Sequence, residues 1–414
     1  MTILARQPKP VPSLPATTHT PRIQPLAVTA FTATTALGRG RHAQLRALDA
    51  GMSGLRRNDL EGLALQCWIG RVAGLEQAPL PPALAQWESR NHRLAWMALN
   101  QDGFLKAARA AVARHGAARV AVVVGTSTSS IGDTERGYAR LQDGRFPPEL
   151  DRAPIHTPHA LGDFVQAATG AGGPCMTVAT ACSSSAKVFA QAARLVQAGV
   201  VDAAVVGGVD TLCGSVLFGF NALQLVSTRP CKPFDAHRDG LSLGEAGGFA
   251  LLEREPAATP QAWLAGYGES SDAYHMSSPH PEGLGAQLAM NQALARAGLE
   301  PAQVDYLNLH GTSTPANDSV EAAAVARVFP DTLHASSTKG WTGHTLGAAG
   351  IVESVFCMLA LQHRLKPGTL NSRQPDPACG PQIRFATARG PVSHAMNNAF
   401  GFGGNNCSLV FSRP

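Results

Sequence analysis

The chain has 414 residues, 44% of them hydrophobic and 15% charged. That is enough for a large buried core in two or three domain-sized units, and it excludes a disordered chain, a collagen and a small disulfide scaffold. A formal charge of +5 suits an acidic partner, but no run of Lys or Arg interleaved with aromatics points to nucleic acid.

Residues 1–24 carry five prolines and read as a mobile tail. From Leu26 short apolar runs alternate with Ala-rich amphipathic segments. Strands are predicted at Val120–Val124, Met176–Thr180, Ala203–Val206, Phe249–Leu252, Trp263–Tyr267, Tyr306–Leu309 and Leu409–Phe411. The pair Gly207-Gly208 reads as the end of the third. Helices are predicted at Ser184–Ala198, with Gly199 as the stop, and near Gly285–Ala297, Ser319–Val328 and Ala348–Leu361. Buried strands alternating with helices imply an α/β fold with largely parallel sheets.

The second half echoes the first. GTSTSS (Gly125–Ser130) and GTSTPA (Gly311–Ala316) each follow a strand. Cys182 and the segment Lys339–His344 each stand at a strand-to-helix junction, and Gly207-Gly208 is loosely matched by Gly403-Gly404. Three echoes in one order point to a duplicated unit. The boundary falls near Glu253–Ala258, giving halves 25–255 and 256–414.

The eight cysteines are scattered, with no CxxC pair and no Cys/His spacing that suggests a metal. The N-terminus has no signal-like apolar run, and no stretch approaches the ~18 apolar residues of a membrane span. Reduced thiols in a cytoplasm are the expectation.

Four segments carry candidate chemistry. In TACSSSA, Cys182 sits between a strand and a helix, where unpaired N–H groups and the helix dipole would lower a thiol pKa; a small buried hydrophobe is the alternative. In HGTSTPANDSVE, His310 follows a strand, Thr312 and Thr314 offer hydroxyls, and Asp318 and Glu321 fall near a helix start, where capping explains Asp318. In STKGWTGHTLGAAGIVES, Lys339 and His344 flank two glycines, with Glu353 on the next helix; each alone would read as structural. In NNAFGFGGNN, Phe400 and Phe402 interleave with glycines, as in a mobile gate or an ordinary Gly-rich turn. No GxGxxG or Walker A loop supports nucleotide chemistry.

At these residues the chain resembles the elongating β-ketoacyl-acyl-carrier-protein synthases of the thiolase-fold superfamily, from about Leu26 to Phe411. TACSSS, PFDAHRDGLSLGEAGG, SSDAYHMSSP, HGTSTPANDSVEAAAV, TKGWTGHTLGAAGIVES and NAFGFGGNN carry the resemblance together. It implies a duplicated thiolase-like α/β fold in five αβαβα layers, a dimer, and decarboxylative Claisen condensation of an acyl thioester with a malonyl thioester. It also implies Cys182 as nucleophile, His310 and His344 as N–H donors to the malonyl thioester carbonyl, Lys339 and Glu353 as their support, and the N–H groups of Cys182 and Phe402 as an oxyanion hole. Phe400 and Phe402 would form the gate, Thr312 and Thr314 would bond the pantetheine arm, and Thr128 and Phe220 would border the acyl pocket.

No cofactor of the chain's own is expected, since phosphopantetheine arrives on the carrier protein, and no metal. Arg90, Arg93 and Arg136 are the candidate docking residues for that acidic carrier. The run DTLCGSVLFGFNALQLVSTRPCKPFDAHRDGLSLGEA looks closest to synthases of aryl-polyene pigment clusters. Three alternatives stay open: a subunit that shapes a partner's chain-length pocket within a heterodimer, a bulk fatty-acid synthase, and a cysteine acyl hydrolase.

Overall fold

In the computed structural model, which describes residues 20–414, the hydrophobic runs collect into one long sheet. Its strands are β1 (Leu26–Thr35), β2 (Val120–Gly125), β3 (Cys175–Val178), β4 (Ala203–Asp210), β5 (Ala246–Glu253), β6 (Ala262–Ser271), β7 (Tyr306–Asn308), β8 (His334–Ser336), β9 (His394–Gly401) and β10 (Asn405–Ser412). They run in the order β8-β7-β9-β10-β6-β1-β5-β4-β2-β3, and an eleventh, two-residue strand, Gly38–Arg39, pairs with the end of β1. The order is two copies of one pattern. β3-β2-β4 and β8-β7-β9 are parallel trios. β4-β5-β1 and β9-β10-β6 continue each trio by antiparallel pairing. The copies meet where Leu26–Val28 pairs with Ala262–Leu264.

Helices divide into three layers. α4 (Ser184–Gln197) and α8 (Ala349–His363) pack on each other between the half-sheets; α1 (Arg90–Leu99), α2 (Phe104–His115) and α3 (Ala160–Thr169) cover the outer face of the first; α6 (Leu284–Ala297) and α7 (Pro315–Val328) cover that of the second. Strand alternation produces the layers. Ala121, Val123, Ala204 and Val206 join the middle core, while Val120, Val122, Val124, Ala203 and Val205 join the outer one. A third core lies under α6 and α7, and a smaller fourth one takes Val216 and Leu217 of α5 (Gly214–Ala222), the helix that carries Phe220. This is the five-layered thiolase-like arrangement that the resemblance implies.

Four expectations need correction. The sheet is not largely parallel, since β1, β5, β6 and β10 pair antiparallel on both sides. The strand at Ala203 does not end at Gly207-Gly208 but runs to Asp210. These glycines serve close packing: a Cβ at 207 would lie 2.2 Å from the Phe249 ring, and one at 208 would lie 2.5 Å from Ser185 Cβ. The helix predicted from Ser319 begins at Pro315, whose missing N–H suits a first turn. Leu346–His363 is long and apolar enough to cross a bilayer, with mean hydropathy 1.4, yet 89% of it is buried inside the fold. Of the predicted tail, residues 1–19 lie outside the described residues, and Ile23 is held by its N–H donating to the Arg296 carbonyl at 3.0 Å.

Candidate active site

The turn after β3 sets Cys182. Ala181 takes φ 52°, a left-handed conformation unusual for a residue with a Cβ. Ser184 Oγ accepts from the Thr180 N–H at 2.9 Å and donates to the Ala181 carbonyl at 2.6 Å. Ser183 Oγ donates to the Thr180 carbonyl at 2.9 Å. Ser185 Oγ accepts from the Ile351 N–H at 2.9 Å, tying α4 to α8. The serines after Cys182 are thus the fasteners of the elbow.

From the second half come both imidazoles. His344 Nε2 lies 2.9 Å from Cys182 Sγ. The His310 and His344 rings meet edge to face, with centroids 5.3 Å apart and planes at 87°. Cys182, His310 and His344 are 6%, 3% and 1% exposed. Their ligand-type atoms all lie within 4.8 Å of one another, a grouping that would also fit a metal ion and that sequence spacing did not show.

Burial dominates the electrostatics. It pushes the Cys182 thiol up to about 11, against the downward pull of Lys339 and of the Phe402 N–H directed at the sulfur. This corrects the expected depression at the helix tip: the site is closed off from water, and the cost of burying a thiolate exceeds what the flanking dipoles return. Burial and then the charge of Lys339 hold both histidines well below the ordinary value. The resting trio is therefore a thiol and two neutral imidazoles.

The support is carboxylate-rich. Lys339 Nζ donates to the His310 carbonyl and, at 2.5 Å, to Glu353 Oε1. Burial raises the Glu353 carboxyl to about 7. Glu321 accepts the N–H groups of His310 and Gly311 at 2.8 and 2.7 Å; burial raises it too, to about 7. Sequence reasoning left Glu321 as a helix-start residue, although an acidic side chain one helix after a functional His was the available signal. Asp318 does not cap the helix as expected: it accepts the N–H groups of Ser313, in the preceding turn, and of the distant Phe234.

Cys182 and the histidines border a cavity of about 340 Å³. Thr312, Thr314, Phe400 and Phe402 line it as expected, and so does Phe220. Thr312 and Thr314 share a hydrogen bond of 2.9 Å, and Phe220 stacks on Phe402 at 5.8 Å and 24°.

Thr128 does not line the cavity. Its N–H and hydroxyl donate to Asp210 Oδ1 at 2.9 and 2.7 Å. Arg90, Arg93 and Arg136 do share one surface recess, but the first two are committed elsewhere. Arg90 pairs with Glu76 and with the fully buried Glu245, and Arg93 with Glu88. Arg136 pairs with Asp133 while its side chain stays 63% exposed.

Comparison with known proteins agrees with this geometry. Residues 89–258 match the family model for the β-ketoacyl synthase N-terminal domain, and residues 261–373 the one for the C-terminal domain. A mitochondrial 3-oxoacyl-[acyl-carrier-protein] synthase of Arabidopsis thaliana is 42% identical over 58% of this chain and 56% of its own length. A 3-oxoacyl-[acyl-carrier-protein] synthase 2 of Staphylococcus aureus is 35% identical over 71% of this chain and 75% of its own. The ketosynthase ApeO of Xenorhabdus doucetiae, solved in complex with its chain length factor ApeC, superposes with a TM-score of 0.87. It is 36% identical, over 94% of this chain and 98% of that one. Two family models over most of the chain, and a relative at this identity and coverage, place the protein in the β-ketoacyl synthase family.

Proposed function

We propose that this chain extends an acyl group by two carbons, condensing an acyl chain held on Cys182 with a malonyl group on an acyl carrier protein. The observation that carries the reading is the 2.9 Å contact of Cys182 Sγ with His344 Nε2, with the His310 ring beside it and all three residues buried. Cys182 attacks the incoming acyl thioester, its proton ending on the departing carrier thiol, while the N–H of His344 Nε2 stays directed at the sulfur. Oxyanion charge falls to the N–H groups of Cys182 and Phe402. Malonyl carrier then binds, and His310 and His344, both neutral, donate to its thioester carbonyl as CO₂ leaves. The enolate carbon attacks the acyl-Cys carbonyl. The thiolate so released takes one proton from solvent, which closes the cycle.

The pantetheine arm would run along Thr312 and Thr314, and the chain needs no cofactor of its own in this scheme. The acyl chain meets an aromatic wall of Phe220 and Phe402, which suits a flat conjugated chain and supports an aryl-polyene substrate over saturated fatty acids. A related second subunit is the expected partner, supported by the likeness to ApeO with its chain length factor and by the open outer edge of β3. The free cysteines support a reducing, cytoplasmic location. Arg136 remains the docking candidate of the recess, and carrier affinity that falls with salt would support it.

Intact-protein mass spectrometry with acyl carrier and malonyl carrier tests the reading. An adduct on Cys182 followed by a two-carbon extension is expected. Hydrolysis alone would replace it with an acyl hydrolase, and an adduct formed only with a second subunit present would make the chain half of an obligate pair. Faster turnover of saturated than of aryl-polyene acyl carriers would remove the substrate assignment.

A further inference from the structure

A second group of ligand-type side chains lies at the outer edge of the first half-sheet. His159 precedes α3, Asp163 stands one turn further on, and Cys175 opens the edge strand β3. One nitrogen, one carboxylate oxygen and the sulfur all fall within 4.8 Å of one another. His159 Nε2 is 3.4 Å from Asp163 Oδ1. Metal–ligand bonds of about 2.0–2.3 Å place tetrahedral donors roughly 3.3–3.7 Å apart, so this edge already has the right length.

Two further features fit such a group. His159 Nδ1 is hydrogen bonded to Thr177 Oγ1 at 3.1 Å. With a cation on Nε2, Nδ1 carries the proton and donates to Thr177, the outer hydrogen bond that a metal-binding histidine makes. The second is Gly162, inside α3. Glycine weakens a helix relative to alanine, and the backbone here does not call for it, since its φ is not positive. A Cβ at 162 would lie 2.9 Å from Cys175 Sγ, 3.0 Å from Thr177 Oγ1 and 3.4 Å from His159 Cε1. The missing side chain lets the helix lie close against Cys175, Thr177 and His159.

We propose that His159 Nε2, the Asp163 carboxylate and Cys175 Sγ bind a divalent cation of the Zn²⁺ class, with water or another donor in the fourth position. A thiolate and a carboxylate balance two positive charges, and the N, O and S donor set selects a borderline-soft ion over Mg²⁺ or Ca²⁺. Binding releases the Cys175 thiol proton to solvent, one per ion. The ion ties the start of α3 to the outermost strand of the sheet. The competing account is an ordinary pair between His159 and Asp163, one turn apart and 48% and 51% exposed, beside a free thiol.

Cobalt distinguishes the two. The full chain is titrated with Co²⁺ in the Cys182→Ala background, so that the cavity's own Cys–His–His group contributes no thiolate signal. We expect one Co²⁺ per chain, bound with release of one proton and with thiolate-to-cobalt charge-transfer absorption, and displaced by Zn²⁺ with no further proton release. The absorption disappears in Cys175→Ser, and affinity falls at least tenfold in His159→Ala. Gly162→Ala, which changes only the space, weakens binding as well; circular dichroism verifies that each variant is folded. No charge-transfer absorption, or absorption unchanged in Cys175→Ser and His159→Ala, overturns the site.

Discussion

Lys339 and Glu353 form a buried ion pair, Nζ to Oε1 at 2.5 Å, with side chains 1% and 4% exposed. The same ammonium donates to the main-chain carbonyl of His310. One cation thus holds α8, through Glu353, to the turn that carries an imidazole of the trio. Glu353 Oε2 has no partner among the described residues, so the ammonium is what offsets burial of that carboxylate. Removing one member of a buried pair leaves the other uncompensated and costs about 3–5 kcal/mol, whereas apolar replacement of both is far milder. Lys339→Met should therefore destabilise the protein by that order, and Lys339→Met with Glu353→Leu by much less. Urea unfolding followed by circular dichroism measures both.

Glu321 gives a prediction with a defined sign. Its carboxyl is raised from an ordinary 4.5 to about 7 in the fold by burial. The folded state keeps this proton to higher pH than the unfolded chain does. Its contribution is therefore fully present below 4.5 and is lost as pH rises through 7. Glu321→Gln has no such proton. Between pH 5 and pH 8 the wild type should lose stability relative to Glu321→Gln, by up to about 3 kcal/mol. The depressed histidines act in the opposite sense, losing stability as pH falls below 6.5, but they are common to both proteins and cancel. A difference that stays flat across this range would refute the shift.

Much of this site was legible because its residues sit where chain geometry announces them. Cys182 and His310 stand at strand ends, and the repeated GTST strings mark the same position in both halves. What was not legible depends on contacts between distant segments. Gly207-Gly208 resembles a turn in a sequence and becomes a packing surface only once Phe249 and Ser185 lie against it. The Cys182 pKa follows local dipoles in a peptide and burial in the fold. Arg90 looks like a free docking charge until Glu245, 155 residues away, is folded under it. The group of His159, Asp163 and Cys175 has no recognisable spacing because a helix and a strand bring it together.

The raised thiol predicts a pH profile for chemical labelling. With Cys182 near 11, the thiolate fraction at neutral pH is small. Alkylation of Cys182 by iodoacetamide, followed by peptide mass spectrometry, should still be climbing above pH 9, the ordinary thiol value. A plateau near neutral pH would show that the helix tip and Lys339 outweigh burial after all.

The stacked pair Phe220 and Phe402 closes one side of the cavity. An aromatic pair of this kind contributes about 0.5–1.5 kcal/mol beyond its buried area. Phe220→Ala should therefore loosen the segment carrying Phe402 and admit water. The expected result is a several-fold rise in hydrolysis of the acyl-Cys relative to condensation, together with acceptance of bulkier acyl chains. Product ratios measured by mass spectrometry decide it; an unchanged ratio would mean that Phe402 keeps its position without the stack.

Asp210 accounts for the position of Thr128. The fully buried carboxylate accepts from the hydroxyls of Thr126, Ser127 and Thr128 and from the N–H groups of Ser127 and Thr128, at 2.6–3.1 Å. Ser127 Oγ in turn accepts from the Gly347 N–H at 3.1 Å, three residues beyond His344. The two GTST-bearing halves are joined at this point, so a carboxylate in the first half steadies the loop that presents an imidazole in the second. Hydrogen bonds to a charged group contribute about 1.5–3 kcal/mol each. Asp210→Asn keeps the shape, removes the charge and turns one acceptor into a donor facing the Ser127 and Thr128 N–H groups. It should lower kcat about tenfold or more through misplacement of His344, with little change in KM for the malonyl carrier. Acylation and decarboxylation can be measured separately, and both should slow because His344 serves both. An effect confined to stability, with kcat intact in the folded fraction, would reduce Asp210 to a structural fastener of the first half.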